Sequence, residues 1–561
     1  MLKTWRYKEA DVQAQKVLKE KTGVSDIIAH LLTTRGITEP DTAASFLNPD
    51  LSGLHDPYLL KDMTRGVQRL KKAVKNKEKI LIFGDYDVDG ITATALSVSV
   101  LQKVAADITW YIPNRLEEGY GLNKEALDKI KQRQPALVLT VDCGISSSQE
   151  VEELKSVGID TIITDHHHPS GPIPLASAVI NPRQPDCSYP NKDLAGVGVV
   201  FKLWQALLGQ TVLKGLKPYL DLVCLGTIAD VVALKGENRI LVKEGLNQLQ
   251  QTRNKGLQAL INTAGLKNKQ IDTYHIGYII GPRINASGRL GSPEKSLRLL
   301  LTDSGPEAYE LAADLEKGNR DRQKIEAQTL EEALNQVEGT FDFKNKQVIV
   351  LARPDWHPGV IGIVASRIVE RYYRPAILIT IEKNKGRGSG RSIPSFHLFD
   401  AVSVCADLLE TFGGHEYAIG LSIKPEAIDA FTEKINQTAA RVIKPEDLLP
   451  CLNIDMELPL ARVDDKLVED IEILAPFGLG NPRPVFSTGN LNLKGRPVFL
   501  KKNGVKFFVS SADSSAHQAI TFDLGEHHSI PPKMGLVYNL VFNTFKGKKN
   551  IQLRLKDIKS S

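Results

Sequence analysis

The sequence predicts a multidomain α/β protein with a parallel-sheet domain, a helical connector, a smaller α/β domain and a C-terminal β-barrel. Three observations predict this class. Apolar runs alternate with helical segments from Lys79 onward, and a second alternation starts at Gln347. Short strands of alternating polarity follow Leu452. With 561 residues the chain exceeds one ordinary core, and its length suggests about three or four domains.

Composition indicates a globular protein of the cytoplasm that does not associate with a membrane. Hydrophobic residues make up 42% of the chain and charged residues 24%. The first sixteen residues lack the apolar core of a signal peptide, and no other window has the uncharged run that a membrane helix needs. Five scattered cysteines without CxxC spacing predict neither a disulfide framework nor a structural zinc site.

Positive charge is concentrated at the C-terminal end. Residues 489–561 contain 12 Lys and Arg against 4 Asp and Glu, a surplus of 8 that exceeds the net charge of +5 for the whole chain. A basic region of this kind favours a polyanionic partner. The alternative is a solubilising tail, which the strand patterns in the same region disfavour.

The stretch that organises the chain is KILIFGDYDVDGITAT, residues 79–94. Its apolar run predicts a buried parallel strand, and Asp85, Asp87 and Asp89 follow before a helical segment. Ligand sites in open α/β sheets lie at the carboxyl ends of strands. Three carboxylates within five residues repel one another, and hard cations such as Mg²⁺ and Mn²⁺ relieve that repulsion. Taken alone, the motif is equally typical of a solvated acidic turn.

Other predicted strands also end in side chains that bind metals. LVLTV is followed by Asp142, TIIT is followed by Asp165, His166 and His167, and the helical segment LVCLGTIA leads to Asp230. One histidine beside an acid is usually structural, but several strands of one sheet ending in Asp or His are hard to explain by packing. The sequence therefore predicts a site for two metal ions. Such ions clamp the attacking and leaving oxygens of a phosphodiester and lower the pKa of a bound water.

Four motifs, GDYDVDG, VDCG, TDHHHP and GTIADVV, occur in an order and spacing that resemble those of the DHH phosphoesterase superfamily. Within it, the chain is similar over nearly its full length to the bacterial RecJ family of single-stranded-DNA exonucleases. The resemblance implies a parallel-sheet DHH phosphoesterase domain, a helical connector, a smaller α/β DHH-associated domain and a C-terminal OB-like β-barrel. The expected boundaries are 1–65 for a helical preamble, then 66–265, 266–343, 344–445 and 446–561 for these four parts.

The resemblance implies two divalent cations, Mn²⁺ or Mg²⁺, as cofactors. Asp87 is expected to bind one ion and Asp89 the other. Asp142 is expected to bridge both ions and so to take part in catalysis. His166 and Asp230 are expected to complete the second ion's ligands.

Further motif residues are expected around these ligands. By the resemblance, His167 lies beside the reacting phosphate, where it either donates a proton to the leaving oxygen or holds the transition-state charge. Asp165 is expected to orient the histidine pair from behind, and Asp85 to lie in the same outer layer. Many superfamily members have a histidine where this chain has Phe83, so the first ion is expected to have fewer protein ligands.

Two further segments carry arginines that suit phosphate contacts. In PNRLEEGYGLN, Arg115 and Tyr120 suit a phosphate contact and a base-stacking contact, and the resemblance favours Arg115 as a 5′-phosphate ligand. In GPRINASGRLGSP, Arg283 and Arg289 flank small residues that permit close approach of a phosphate. The alternative for each segment is a structural turn with surface side chains. A long amphipathic helix over 314–337 is expected to connect two domains.

The second α/β unit contains GRGSGRS and FGGHEYAIG. Glycines interleaved with Ser389 and Arg391 suit a phosphate-binding strand, and GGH places His415 on a flexible turn. These features resemble the DHH-associated domain. There Ser389 and Arg391 are expected to hold the terminal 5′-phosphate, and His415 to face the scissile group as a catalytic residue.

The C-terminal strands KFFVS, AITF, LVYNLVF and IQLRL look like a small barrel of the OB type, which binds single strands through cationic grooves and stacking. The alternation from Ile551 to Lys556 predicts one apolar and one basic face. Phe507, Phe508 and Phe545 are candidates for stacking, with core packing as the commoner alternative.

The predicted function is a single-stranded-DNA-specific 5′ to 3′ exonuclease that releases 5′-mononucleotides by two-metal hydrolysis and serves DNA repair and recombination. The resemblance implies single-stranded DNA as substrate, and a single-strand-binding protein and a RecQ-type helicase as partners. One alternative on the same scaffold is an oligoribonucleotide or cyclic-dinucleotide phosphodiesterase. An alternative of another class is a non-catalytic DNA-binding replication scaffold, in which loss of metal ligands is expected.

Overall fold

The computed structural model describes residues 3–104, 106–114, 118–119, 121–209, 213–500, 504–522, 530–545 and 547–560. Contacts within the chain divide it into two compact units. One unit consists of residues 55–230 and 245–450, and the other combines residues 1–54, 231–244 and 451–561. Among the described residues, no helix is both long and apolar enough to cross a bilayer. The five cysteines are free.

The larger unit contains the predicted parallel sheet. Its five strands, in spatial order, are Ile108–Tyr111, Ile80–Gly84, Leu137–Val141, Asp160–Thr164 and Ala178–Ile180. Every neighbouring pair is parallel, which confirms the prediction from the alternating pattern. The strands that start at Ile80 and Leu137 are buried along their whole length, because helices cover both faces of the sheet.

Helices surround and follow this sheet. Those that cover it or lead into it are Met63–Lys75, Val88–Lys103, Lys124–Arg133, Ser148–Ser156, Gly196–Leu208, Leu213–Leu216 and Leu220–Ala229. The helical part that follows consists of Gly236–Gln250, Lys255–Thr263, Thr273–His275, a π-helical turn Ile276–Ile280, Gly281–Leu290, Glu294–Leu301 and Gly305–Thr340. The last of these is the predicted connecting helix, and it is longer than its apolar periodicity indicated. Ser304 caps it by accepting a hydrogen bond from the Glu307 amide.

A buried carboxylate in the helix Leu220–Ala229 makes stability depend on pH. Asp221 accepts a hydrogen bond from the Thr252 hydroxyl at 2.6 Å, and burial raises its pKa from 3.8 to about 6. Since the folded-state pKa lies above the unfolded value, this group's contribution is fully present below pH 3.8 and is lost as the pH rises through 6. The ionised carboxylate therefore costs up to about 3 kcal/mol at neutral pH.

We expect Asp221→Asn to remove this pH-dependent cost. Thermal melts of both proteins should show the variant gaining stability relative to the parent between pH 4.5 and pH 7.5. The comparison at pH 4.5, where the parent carboxyl is mostly protonated, serves as the internal control. A difference that does not change with pH would contradict the assignment.

A second, mixed sheet forms the smaller α/β domain. Its strands, in spatial order, are Thr411–His415, Ala418–Ile423, Lys385–Arg391, Ala376–Glu382 and Ile349–Pro354. The last two are parallel and the remaining pairs are antiparallel. The helices of this domain are Pro358–Tyr372, Leu398–Ser403 and Ile428–Ala440.

The prediction that His415 lies on a flexible turn is wrong. Gly413, Gly414 and His415 belong to an edge strand, and the turn follows at residues 416–417. Gly414 has φ of +142°, and a Cβ there would lie 2.3 Å from the Ala418 carbonyl oxygen. Glycines give little strand signal in a sequence, yet this strand requires one for its close backbone approach.

The smaller unit contains the predicted barrel. Its six-stranded sheet consists of Met456–Glu457, Phe486–Leu500, Gly504–Ser510, His517–Thr521, Lys548–Ser560 and Lys533–Phe545 in spatial order. The strand that starts at Phe486 also pairs with the strand that starts at Lys533, which closes the barrel. The barrel therefore confirms the predicted C-terminal fold.

Residues from both ends of the chain share the core of this unit. Thr4–Tyr7 pairs in parallel with Cys451–Ile454. Helices Val12–Thr22, Asp26–Thr33 and Pro40–Leu47 contribute buried side chains, which pack with barrel residues such as Leu536. The helix Asp465–Glu472 contributes to the same core. The expected separate preamble is thus part of a core that the C-terminal residues complete.

The candidate stacking residues of the barrel differ in exposure. Phe507 is in the core, Phe508 is 42% exposed, and the side chain of Phe545 lies outside the described residues. The predicted basic face of the last strand is only partly correct, because Gln552 is buried and donates a hydrogen bond to Gln518. Of the aromatic candidates described, Phe508 alone presents a ring to solvent.

Candidate metal centre

Acidic and imidazole side chains converge at one edge of the parallel sheet. The three central strands end at Gly84, Val141 and Thr164, and the residues that follow are Asp85, Asp142 and Asp165. Because parallel strands end at the same edge, residues far apart in the sequence meet there. The expectation that these loops form one site follows directly from this topology.

His166 lies at the centre of three carboxylates. Its Nε2 atom is 3.2 Å from Asp142 Oδ1, 3.6 Å from Asp230 Oδ2 and 3.9 Å from Asp89 Oδ2. Asp89 begins a buried helix, whereas Asp230 follows the helix Leu220–Ala229 as the sequence predicts. Four potential ligands from four separate segments thus surround one position.

Potential ligand atoms fall into three groups, and in each group they lie within 4.8 Å of one another. The groups are Asp89, His166 and Asp230; Asp85, Asp87 and Asp142; and Asp142, His166 and His167. Asp142 belongs both to the group with Asp85 and Asp87 and to the group with His166 and His167, which is the position that a bridging ligand needs. Asp85, expected behind the ligands, is grouped with the potential ligands themselves.

The donor set suits divalent cations. Among the described residues, Nε2 of His166 and Oδ2 of Asp230 are buried and make no hydrogen bond. Buried polar atoms normally have partners, and those that lack one require an explanation. Carboxylate oxygens with one or two imidazole nitrogens are the ligands that Mn²⁺ and Mg²⁺ accept. The side chains present therefore fit the expected metals.

The electrostatics of the cluster also favour bound cations. Burial, followed by the charge of Asp87, raises the pKa of Asp89 to about 7. Burial and the neighbouring Asp89 and Asp87 raise the pKa of Asp230 to about 9, and similar causes raise the pKa of Asp142 well above its usual value. Burial lowers the pKa of His166 to about 3, which keeps the imidazole neutral and able to bind a metal.

Asp165 holds the adjacent histidine in a defined orientation. Its Oδ1 atom accepts hydrogen bonds from the His166 and His167 amides and lies 2.7 Å from His167 Nδ1, while Oδ2 accepts from the Ile145 amide. Burial would raise the pKa of Asp165, but the His167 contacts outweigh it and lower that pKa to about 2. Burial likewise opposes charge on His167, yet Asp165 raises its pKa to about 9. A half-exposed, protonated imidazole beside the cluster can donate a proton.

Backbone amides position Asp89, and sequence patterns alone did not reveal them. The amides of Gly196 and Val197, at the start of a helix, donate to the two Asp89 carboxylate oxygens at 2.6 and 2.9 Å. A Cβ on Gly196 would lie 2.2 Å from Asp142 Oδ1. The run AGVGVV at a helix start was the available signal, since small residues there permit a close approach.

We expect Gly196→Ala to disturb the centre without unfolding the protein. The added methyl group must displace Asp142 or the helix start, so Mn²⁺ affinity should fall roughly 10- to 100-fold, as for other changes behind metal ligands. Gly198→Ala is the matched control, because its Cβ would meet only the flexible Leu194 side chain at 3.3 Å. Mn²⁺ titrations followed by thermal shift should separate the two variants, and equal affinities would contradict the expectation.

Phe83 occupies the position where many superfamily members have a histidine. It is fully buried in a hydrophobic cluster, and its ring centroid lies 5.7 Å from that of Tyr111. Its side chain therefore belongs to the core and offers no ligand. The group containing Asp85 and Asp87 supplies oxygens on the corresponding side of the cluster.

The predicted phosphate ligands of the smaller α/β domain lie beside the start of the helix Pro358–Tyr372. Arg391 Nη1 lies 3.2 Å from Ser389 Oγ. A Cβ on Gly362, in the second turn of that helix, would lie 2.8 Å from Ser389 Oγ. From the larger domain, Arg289 donates to the Gly359 carbonyl at 3.0 Å. Ser389, Arg391 and Arg289 therefore gather around one helix N-terminus, a position that favours anions.

His415 lies on the same sheet as this group. The register places Arg391 beside Ala418, and Ala418 beside His415, across three adjacent strands. Burial, then Arg391, lowers the pKa of His415, and the charge of His167 contributes to this shift. The two histidines are therefore close enough to interact electrostatically.

Arg283 is not part of this group. Arg283 forms an ion pair with Glu316 at 2.6 Å and also donates to the Ile279 carbonyl. Its segment is a helix, Gly281–Leu290, so the alternative of a structural turn is wrong. Arg115 and Tyr120 lie outside the described residues. From the same helix, Asn285 accepts a hydrogen bond from the Val88 amide at 3.2 Å and so contacts the acidic loop.

Comparisons with known proteins agree with this architecture. The family models for the DHH family N-terminal domain, the DHHA1 domain and the RecJ OB domain match residues 79–227, 345–441 and 454–557. The single-stranded-DNA-specific exonuclease RecJ of Bacillus subtilis is 37% identical over 559 residues, which cover 99% of this chain and 70% of that protein. The Haemophilus influenzae protein of the same name is 36% identical, with 90% and 92% of the two chains covered.

Solved structures give the same result. The crystal structure of RecJ from Thermus thermophilus in complex with Mn²⁺ matches with a TM-score of 0.86 and 30% identity, covering all of this chain and 80% of that one. The Mg²⁺ complex from the same organism matches with a TM-score of 0.80 and 29% identity, covering 100% and 78%. From the domain order, the cluster at the sheet edge and these relatives, the chain belongs to the RecJ family of DHH proteins.

Proposed function

We propose that this protein is a single-stranded-DNA-specific exonuclease that hydrolyses phosphodiester bonds with two divalent cations. The observation that carries the proposal is the convergence of Asp89, Asp142, His166 and Asp230, with distances of 3.2 to 3.9 Å from His166 Nε2 to the three carboxylates. Its relatives are named for this activity. All five predicted metal ligands, Asp87, Asp89, Asp142, His166 and Asp230, are present, which disfavours the alternative of a non-catalytic scaffold.

In the proposed mechanism, the side chains of the cluster would hold two divalent cations at the site where a substrate phosphate binds. Asp142 and the groups on either side of it would bind the ions, which supply charge stabilisation and a water of lowered pKa. His167, kept protonated by Asp165, would donate its Nε2 proton to the leaving oxygen. His415 would approach the same phosphate from the smaller α/β domain. The positions and charges of the two histidines support both roles.

The direction of digestion follows from the anion-binding group of the smaller domain. Ser389, Arg391 and Arg289 around one helix N-terminus offer a site for the doubly charged terminal phosphate. Holding that phosphate near the metals would position the first phosphodiester for cleavage and release 5′-mononucleotides. We propose digestion from the 5′ end on this basis, with Arg115 as a further phosphate ligand by family resemblance.

We expect Arg391→Ala to weaken the preference for 5′-phosphorylated strands. Loss of a charge-assisted contact should raise KM for phosphorylated strands on the order of tenfold, while strands with a 5′-hydroxyl should change little. Arg371→Ala is a suitable control. Arg371 lies in the last turn of the helix Pro358–Tyr372, whose first turns lie beside Ser389, and its side chain pairs with Glu338. An unchanged preference in the Arg391 variant would exclude it from the phosphate site.

The test of the function is digestion of long strands labelled at either end, with Mn²⁺ or Mg²⁺. We expect 5′-labelled single strands to release labelled mononucleotides at once, while duplexes and dinucleotides resist. The Asp142→Ala protein, purified in parallel, controls for contaminating nuclease. Preference for dinucleotides or cyclic dinucleotides would favour the alternative phosphodiesterase. A single-strand-binding protein and a RecQ-type helicase remain predicted partners in repair and recombination, and the cytoplasm the predicted location.

A further inference from the structure

Two exposed tyrosines form a stacked pair in the helical part of the larger unit. The Tyr274 and Tyr278 rings lie 5.0 Å apart between centroids and are inclined by 27°. Their side chains are 59% and 72% exposed, which makes them two of the most exposed large aromatic residues described. Most of the surface of both residues is exposed to solvent, so packing in the core does not explain them.

The pair is held in a defined orientation. Asp272 caps the helix start by accepting from the His275 amide at 3.0 Å, and its carboxylate also contacts His275 Nδ1 at 2.5 Å. The His275 ring packs edge-on against Tyr274 with centroids 6.0 Å apart. Tyr278 lies in the π-helical turn Ile276–Ile280, an irregularity that is frequent at functional sites. The rings therefore present a preorganised surface.

The helical turn that bears the tyrosines packs close to the metal centre. A Cβ on Gly277 would lie 3.9 Å from Ile228 Cγ2, two residues before Asp230. A Cβ on Gly281 would lie 3.7 Å from the Ala229 Cβ and 4.0 Å from Val88 Cγ2. The helical turn that bears the tyrosines thus packs against the two segments that carry metal-binding candidates.

A basic cleft lies next to the tyrosines along the chain. It has a volume of about 700 Å³, and Lys255, Lys267 and Lys269 line it together with asparagine and glutamine side chains. None of its lining residues, within the described part of the chain, is acidic. Ile271 at its edge precedes Tyr274 by only three residues. Cationic groups that suit phosphates are therefore close to rings that suit bases.

We propose that Tyr274 and Tyr278 form a stacking platform for nucleobases of the substrate strand downstream of the scissile bond. The lysine-lined cleft takes phosphates of the same strand. This inference rests on the proposed exonuclease function and adds a binding site to it. Aromatic platforms beside cationic grooves are how proteins bind single strands without regard to sequence, since every base offers a π-face. The platform lets the enzyme stay bound to a strand of any sequence while that strand is shortened.

The occupant is nucleic acid rather than a protein, because the surroundings carry the charge that phosphates need. A protein-docking face of two tyrosines would require a larger apolar patch around them. The neighbouring exposed positions are instead polar. Lys267 and Lys269 carry positive charge, while the Asp272 carboxylate is already held by His275.

The test compares Tyr274→Ala and Tyr278→Ala with the corresponding phenylalanine variants in the full chain. Strand affinity is measured in an Asp142→Asn background, which prevents digestion, using single strands with 2-aminopurine at successive positions. We expect each alanine to raise Kd on the order of tenfold and to relieve the quenching of 2-aminopurine at one or two fixed positions. The phenylalanine variants should retain both properties, because stacking needs the ring and not the hydroxyl group.

Strand length gives a second readout in the active protein. We expect the alanine variants to raise KM for long strands while leaving kcat and the digestion of very short strands unchanged. Tyr58→Ala is the matched control. Tyr58 is also exposed, at 47%, but its hydroxyl donates to the Ala206 carbonyl, which lies ten residues along its helix from Gly196 at the metal centre. Lys267→Gln and Lys269→Gln should each reduce the dependence of log affinity on log salt by roughly 0.7.

The inference is overturned if the alanine variants bind and digest long strands like the parent, or if phenylalanine impairs binding as much as alanine. Loss of folding in an alanine variant would be visible in its thermal melt, and the phenylalanine and lysine variants would then decide the matter. Failure of the parent protein to digest single strands would refute the proposed function itself. The two failures are therefore distinguishable.

Discussion

Asp142→Ala should abolish exonuclease activity, with kcat falling roughly a thousandfold or more. Asp142 belongs to the potential ligand groups on both sides of the cluster, so its loss affects both ions. Two ions together supply several kcal/mol of transition-state stabilisation, and each 1.36 kcal/mol corresponds to about a factor of ten in rate. Digestion of a 5′-labelled single strand under saturating Mn²⁺ measures this effect. Turnover within tenfold of the parent would refute a bridging role.

Replacement of the same residue should, by contrast, stabilise the metal-free protein. Burial and surrounding carboxylates raise the pKa of Asp142 well above its usual value, so its charge is unfavourable without a cation. We therefore expect Asp142→Asn to raise the melting temperature in a chelator and to reduce the stabilisation that Mn²⁺ gives the parent. A variant that melts at a higher temperature than the parent in a chelator, but gains less stability from Mn²⁺, has lost a metal ligand. A general packing defect would instead lower the melting temperature in both conditions.

His167→Ala should lower kcat on the order of a hundred- to ten-thousandfold with little change in strand affinity. The imidazole is half-exposed beside the cluster, and Asp165 keeps it protonated and fixed through the 2.7 Å contact. His168→Ala is the matched control, since His168 is the next residue and belongs to none of the ligand groups. Single-turnover kinetics with saturating enzyme separate chemistry from binding. A large change in Kd with kcat unaltered would contradict the proposed role.

Asp165→Asn provides an independent check on this mechanism. If Asp165 acts through His167, the double variant should be no slower than His167→Ala alone, because residues that act as a unit are not additive. Multiplicative losses would instead indicate separate functions. Asp165 also accepts the Ile145 amide, so a thermal melt of each variant is needed to identify a folding defect.

Much of the centre was predictable because its chemistry is encoded locally. Apolar runs that end in Asp85, Asp142 and Asp165 reveal both the strands and their carboxyl ends, and parallel topology then brings the acids together. Asp230 follows a helix that its apolar composition also predicted. Each of these residues lies at an element boundary that short-range patterns identify.

Other features depend on contacts between distant segments, which no local pattern reveals. The Gly196 and Val197 amides donate to Asp89, although more than one hundred residues separate them from it in the sequence. Gly414 looks flexible in sequence, yet pairing with a neighbouring strand makes it part of a sheet. The sequence around Arg283 predicted a phosphate contact, but its side chain donates to Glu316, which lies 33 residues further along the chain. Such outcomes require the tertiary structure.

Residues far apart in the chain share one hydrophobic core, and this has a consequence for biosynthesis. Leu18, Ile28 and Leu32 are synthesised about five hundred residues before Leu536 and Leu553, with which they are buried. Until the barrel strands have been synthesised, the helices that carry these early residues have no completed core and stay accessible to chaperones and proteases. A chain that stops before the barrel would therefore expose the apolar faces of these helices.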